Sequence, residues 1–159
     1  MVQQKVKTRI IIADDDDCFI QILKLALEDE GMEVVKTVST GRQAIEATLK
    51  FQPDCLLLDI SMPDMDGLAA LANIKFLNPK ICVIVISALN DPRCKTRALE
   101  IGADTFFSKD GKLDELVAII HALATEDCPR PNVKSTDYPI FPTVPSFSLI
   151  HRETKSSAV

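Results

Sequence analysis

One stretch narrows the fold more than any other. Cys55-Leu56-Leu57-Leu58 is an unbroken apolar run that stops at a carboxylate, Asp59, with Pro53 before it and a turn containing Pro63 and Gly67 after it. An apolar run this short, bounded by breakers, predicts a strand covered on both faces, as the central strands of parallel sheets are. Asp59 then stands at the carboxyl end of such a strand, the edge where open α/β sheets form their sites.

The rest of the chain repeats the theme. Thr8 to Ala13 reads as a first strand and runs into Asp14-Asp15-Asp16-Asp17. Cys18 to Glu30 has Phe19, Ile22, Leu23, Ala26 and Leu27 at helical spacing, and Gly31 stops it. Met32 to Val38 is a second strand, and Gly41 to Phe51 a helix facing inward through Ala44, Ile45, Thr48 and Leu49. Gly67 opens a third helix, with Leu68, Leu71 and Ala72 inward and Asn78-Pro79 closing it. Ile81 to Ile86 is a strand ending at Ser87, and Asp91-Pro92 caps a fourth helix that ends at Gly102. Asp104 to Ser108 is a short strand ending at Lys109. Leu113 to Ala124 is a last helix with its stripe at Leu113, Leu116, Val117, Ile120 and Leu123.

Strand and helix alternate five times, which requires parallel strands, right-handed crossovers and helices on both faces. The expected architecture is a doubly wound five-stranded α/β sheet of order 2-1-3-4-5, a flavodoxin-like (βα)5 fold. In that order the first and third strands are neighbours at the switch point, so Asp14, Asp15 and Asp59 share one crevice. Ser87 and Lys109 open onto the same edge. Carboxylates so gathered repel one another unless a cation intervenes, and hard oxygen ligands suit magnesium. Taken alone, the four-Asp run is an ordinary solvated helix start, Asp59 a loop residue, Ser87 a cap and Lys109 a surface cation. Asp16 and Asp17 receive no ligand role. Asp64 and Asp66 read as turn residues around Gly67.

Composition excludes several classes. The 159 residues make one domain of about residues 1–125 and a tail of 126–159 with prolines at 129, 131, 139, 142 and 145. The tail reads as extended or disordered, a linker whose Tyr138-Pro139-Ile140-Phe141-Pro142 segment is the one candidate for docking. No run is long enough to cross a bilayer, and the first residues lack a signal-peptide core, so a cytoplasmic protein is expected. The five cysteines are odd in number and lack C-x-x-C spacing, and Cys55 and Cys82 read as buried hydrophobes. His121 reads as a surface or packing residue and His151 lies far off in the tail. The net charge of -5 and the absence of a basic patch argue against nucleic-acid binding by this segment.

Five positions at four strand ends carry a resemblance. Asp14-Asp15 after IIIA, Asp59 within LLLDISMPDMDG, Ser87 followed by small Ala88, and Lys109 within FFSKD are similar to the receiver domain of bacterial two-component response regulators, a family that exemplifies this strand order. The resemblance covers about residues 8–125. It implies that Asp59 is the phosphoacceptor and that Asp14, Asp15, Asp59 and the backbone carbonyl of Ser61 bind Mg2+, with Mn2+ as a substitute. Ser87, Ala88 and Lys109 then receive the phosphoryl group, and Phe106 is the switch aromatic. The implied partners are a sensor histidine kinase or histidine phosphotransfer protein and a downstream effector, with a phosphorylation-dependent homodimer as one outcome. The implied role is signalling: the chain catalyses only its own phosphorylation and dephosphorylation.

Two departures stand out. Phe106 has no hydroxyl where many relatives have Tyr, and Asp110 replaces the proline frequent after the lysine. Three other readings compete. A haloacid-dehalogenase-type hydrolase needs a second carboxylate two residues after its Asp, where this chain has Ser61. A DNA-binding regulator shorn of its output domain is the second, since the tail is too short and proline-rich for a helix-turn-helix. A receiver-like scaffold that is never phosphorylated is the third.

Overall fold

The computed structural model describes residues 7–124. The tail, with Tyr138–Pro142, Cys128 and His151, lies outside the described residues. Strands β1 (Arg9–Ala13), β2 (Glu33–Val38), β3 (Cys55–Asp59), β4 (Cys82–Ser87) and β5 (Thr105–Ser108) alternate with five helices. These are α1 (Asp17–Asp29), α2 (Gly41–Phe51), α3 (Gly67–Leu77), α4 (Pro92–Ile101) and α5 (Leu113–Ala124). All four strand pairings are parallel and the order is β2-β1-β3-β4-β5, as expected.

The two apolar faces of the sheet are covered by different helices. On one, Ile11, Leu56, Leu58, Val83 and Val85 meet Ala44 and Ala47 of α2, Leu71 and Ile74 of α3, and Ala98 and Ile101 of α4. On the other, Ile10, Ile12, Leu57, Ile84 and Phe107 meet Ile20, Leu23 and Leu27 of α1 and Leu116 and Ile120 of α5. Strands β3 and β4 are buried at every position, which is why their sequences show no polar alternation. Cys55 and Cys82 face each other across β3 and β4 and are buried, as predicted. Their mutual hydrogen bond, together with burial, holds the Cys55 thiol well above its ordinary pKa.

Helix rotation departs from expectation in two places. Ile22 and Leu49 are half exposed, while Ile20 and Ala47 take the inward positions. Both helices carry more apolar residues than one face can hold, so periodicity alone leaves the rotation open and packing against the sheet decides it. On α3, Leu71 is buried and Leu68 and Ala72 pack half-buried against the core as expected, with Ala70, Ile74 and Lys75 buried besides. Lys75 was not anticipated there. Its ammonium lies 2.8 Å from Asp104 Oδ2 and donates to the Ile81 carbonyl. The same Asp104 oxygen accepts from the Val83 N–H.

Caps fix where the helices start. Asp16 accepts from Phe19 N–H, Thr40 from Gln43 N–H, Asp66 from Leu68 N–H and Asp91 from Arg93 N–H. Asp66 and Asp64 thus serve the β3–α3 turn as expected, Asp64 by adopting φ +73°. Gly67 closes that turn against the strand. A Cβ there would lie 2.5 Å from the carbonyl oxygen of Asp59 and from the Cα of Ile60, so only glycine lets α3 begin this near β3. No described helix is long and apolar enough to cross a membrane.

Candidate functional site

Four of the five strand ends, those of β1, β3, β4 and β5, deliver their groups to the same rim. β1 stops at Ala13, whose partner in β3 is Leu58, so Asp14 arrives beside Asp59. The Asp14 N–H still donates to the Val38 carbonyl, which holds its backbone to the end of β2. β4 and β5 pair through Ser87 and Ser108, and the next residue, Lys109, donates its N–H to the Ser87 carbonyl. Backbone pairing therefore sets the spacing of the side chains before any of them interact.

Asp14 and Asp59 are 2% and 3% exposed, buried carboxylates of a kind seldom left unpaired. Lys109 Nζ bridges them, 2.7 Å from Asp14 Oδ2 and 3.0 Å from Asp59 Oδ2. Their other oxygens accept backbone N–H groups, Asp14 Oδ1 from Asp16 and Asp59 Oδ1 from Ser61. Asp15 stands at the rim, exposed, and one oxygen from each of the three aspartates lies within 4.8 Å of the others. Burial raises the Asp14 carboxyl above its ordinary pKa; the bonds from Lys109 and the Asp16 N–H pull it back without cancelling the rise. Burial works to lower the Lys109 pKa, but the hydrogen bonds to Asp14 and Asp59 outweigh it and hold the ammonium above its usual value.

The cluster thus has three carboxylates and one cation. Its donors are hard oxygens on two sides of a crevice, with Asp15 on the solvent side, and they leave a surplus of negative charge. That donor set fits a hard divalent ion such as Mg2+, with Mn2+ chemically equivalent, and does not resemble a thiolate or imidazole site.

Of the other predicted residues, Ser87 and Ala88 lie at the end of β4, while Phe106 sits further back in β5. Ser87 is fully buried, and its Oγ accepts from the Leu89 N–H at 3.0 Å, which leaves the hydroxyl proton free to donate. Ala88 is exposed beside it. Phe106 is half-buried against the face covered by α2, α3 and α4, whereas Phe107 is buried in the opposite face. Of the adjacent phenylalanines, Phe107 is the core residue. Ser61 joins the site through its N–H. The hydrolase's second carboxylate has no counterpart, since a serine occupies its position. His121 is exposed, as expected.

Two residues of the site were not foreseen. Phe19 places its ring centroid 4.8 Å from Lys109 Nζ. Asp16, which bonds the Phe19 N–H at 3.1 Å, sets the turn that puts the ring there. The cap was legible in principle, as an Asp just before an apolar helical run. The ring contact was not, because it joins residues 90 positions apart.

A doubly wound sheet with aspartates and a lysine converging at its switch point defines a class of phosphate-responsive α/β domains. The chain belongs to one family within it: the family described as response regulator receiver domain matches residues 10–121. Among curated relatives, a protein-glutamate methylesterase/protein-glutamine glutaminase from Archaeoglobus fulgidus is 38% identical over 117 residues, 72% of this chain and 34% of that protein. The cell cycle response regulator CtrA of Brucella ovis is 31% identical over 115 residues, 72% of this chain and 49% of its own. The chain therefore spans a third to a half of the length of these relatives. Among solved structures, the signal receiver domain of the putative response regulator NarL from Mycobacterium tuberculosis superposes with a TM-score of 0.71 at 33% identity. The match covers 74% of this chain and 96% of that one. A CheX-CheY-BeF3-Mg complex from Borrelia burgdorferi gives 0.71 at 28% identity, over 74% and 90%. The fold and the family are those expected, and the chain is a receiver domain of two-component signalling.

Proposed function

We propose that Asp59 is the residue phosphorylated, by a sensor histidine kinase or histidine phosphotransfer protein, and that the change is passed to a downstream effector. The observation that carries this reading is the bridge from Lys109 to Asp14 and Asp59, two buried carboxylates sharing one cation. An Asp59 oxygen attacks the phosphorus, the phosphorus–nitrogen bond of the donor breaks, and the imidazole leaves with the electron pair. The product is an acyl phosphate.

Charge spreading over the phosphoryl oxygens must be neutralised as this happens. Lys109 already stands 3.0 Å from Asp59 and reaches an incoming oxygen with little movement. Ser87 has its hydroxyl proton to offer another, and Ala88 leaves room for the group. Asp14, Asp15, Asp59 and the Ser61 carbonyl would hold Mg2+. When bound, that ion supplies electrostatic stabilisation of the transferred group's charge.

The acyl phosphate adds roughly -1.5 to -2 charges, by analogy with phosphorylated hydroxyls, and these need new partners. Ser87 turns toward them and leaves its place behind β4. Phe106, half-buried and without a hydroxyl, moves inward on packing alone, and the surface of α4, β5 and α5 changes with it. Residues 1–125 carry this receiver function, residues 126–159 form an appended tail, and a phosphorylation-dependent homodimer is one form of output. No enzymatic activity is proposed beyond the domain's own phosphorylation and dephosphorylation.

Incubation with acetyl phosphate and Mg2+, read by intact mass, tests the reading. A phosphate-sized gain is expected in the wild type and absent in Asp59→Asn and after chelation. A gain that persists in Asp59→Asn would move the acceptor elsewhere. An unreactive wild type would leave the receiver without its chemistry.

A further inference from the structure

The ammonium of Lys109 has three N–H donors and no acceptor. Asp14 and Asp59 take two directions, at 2.7 and 3.0 Å. The third neighbour is a ring, Phe19, with its centroid 4.8 Å from Nζ, inside the distance at which an aromatic face attracts a cation. Phe19 is no loose surface residue. It packs against the buried cluster that includes Ile20, Leu23 and Phe107, and Asp16 ties its backbone N–H into the first turn of α1. The Lys109 side chain is 15% exposed, so the contact is largely shielded from water.

The three contacts respond differently to phosphorylation. Resting on the proposed role of Asp59, transfer converts one carboxylate partner into an acyl phosphate. Asp14 is a proposed metal ligand, so its charge is shared once an ion binds. The ring keeps its quadrupole throughout. We infer that Phe19 is a positioning residue that holds the Lys109 ammonium over the phosphoacceptor while its two carboxylate partners are drawn into metal binding and phosphoryl transfer. Asp16, one of the two acidic-run residues without a ligand role, acts one step further back by fixing where the ring stands.

Two readouts separate this role from simple space-filling. The first is the rate of Asp59 phosphorylation by acetyl phosphate with Mg2+, measured in the full chain with phenylalanine, mono-, di- and trifluorophenylalanine at position 19. Fluorination weakens the ring's negative face with little change of shape, so the logarithm of the rate should fall stepwise along the series. Phe19→Leu, which keeps an apolar side chain but no π face, should be slower by roughly 3- to 30-fold. The second is the 15Nζ resonance of Lys109, which should shift in step with fluorination even in protein that has met no phosphodonor. Asp16→Ala should act in the same direction, less strongly.

A flat rate and an unmoved Lys109 resonance across the fluorinated series would overturn the inference. So would a Phe19→Leu defect that no fluorinated ring reproduces, since volume alone would then explain it. A wild-type chain that acetyl phosphate does not label, while the Lys109 resonance still tracks fluorination, would instead remove the proposed role of Asp59 and leave the ring contact standing.

Discussion

The sheet buries a lysine–aspartate contact at each of its two edges, and they are built on opposite plans. At the amino-terminal edge, Lys75 faces a single carboxylate, Asp104, and the site closes on itself: the ammonium also donates to the Ile81 carbonyl, and Asp104 also accepts the Val83 N–H. Charges match one to one. At the carboxyl-terminal edge, one lysine serves two buried carboxylates, with a third at the rim. Charges there do not match. A balanced buried pair has no use for a ligand and holds a helix to two strands. An acidic surplus leaves a place for a cation from outside. The difference between a structural and a functional buried ion pair lies here in stoichiometry, not in the residue types.

The contrast is open to experiment, and the structural edge should show the largest effect. Asp104→Ala strands the Lys75 ammonium, a change that costs about 3–5 kcal/mol when a buried pair loses one partner. The urea midpoint should fall accordingly, by the same amount with and without Mg2+. A loss of less than about 1 kcal/mol would mean that the pair is as replaceable as a surface one.

The functional edge should answer to the ion instead. Binding to the folded state alone stabilises by about 2.7 kcal/mol at a hundredfold excess over Kd. Thermal unfolding should therefore rise with Mg2+ in the wild type and in Asp104→Ala, but not in Asp59→Asn. An Mg2+ increment that survives Asp59→Asn unchanged would place the ion elsewhere.

Gly67→Ala tests the scaffold beneath that edge. Its Cβ would press on the backbone of Asp59 and Ile60, and overpacking of this kind costs about 1–3 kcal/mol. Because the displaced backbone carries the proposed acceptor, acetyl phosphate labelling should slow in protein that remains folded.

The smallest effect should have the reverse sign. Asp14 has its pKa raised by burial, so its stabilising contribution is present below the ordinary carboxylate value of 3.8 and is lost as pH rises through the higher folded value. Without a divalent ion, Asp14→Asn should be at least as stable as the wild type at neutral pH. The gap should close on acidification toward pH 4, and Mg2+ should no longer stabilise the variant. A clear loss of stability in metal-free Asp14→Asn would show that this carboxylate is structural after all.

The two edges also differed in how far the sequence announced them. Asp14, Asp59, Ser87 and Lys109 each follow an apolar run, so locating the strands located the residues, and alternation with helices supplied the order. Lys75 offered no such cue. It sits in the last turn of a helix, where a lysine ordinarily faces water and favours the dipole, and its partner is 29 residues away. The rotations of α1 and α2 were equally hidden. Ile22 and Leu49 fit a helical stripe as well as Ile20 and Ala47 do, and only packing against the sheet selects between them. The contact of Phe19 with Lys109 depends on that same rotation of α1, and so it too became visible only in three dimensions.

The inward turn of Lys75 leaves a mark on the outside of the molecule. Lys75 is the one charged residue in α3, so the solvent side of that helix offers no charge at all, with Phe76 71% and Leu77 50% exposed. Two molecules meeting there feel no local repulsion. Their mutual avoidance falls to the long-range field of a chain of net charge -5, which reaches about 10 Å at 0.1 M salt and about 3 Å at 1 M. Colloidal behaviour should accordingly follow ionic strength closely, with dilute buffer keeping the protein dispersed and concentrated salt drawing it together.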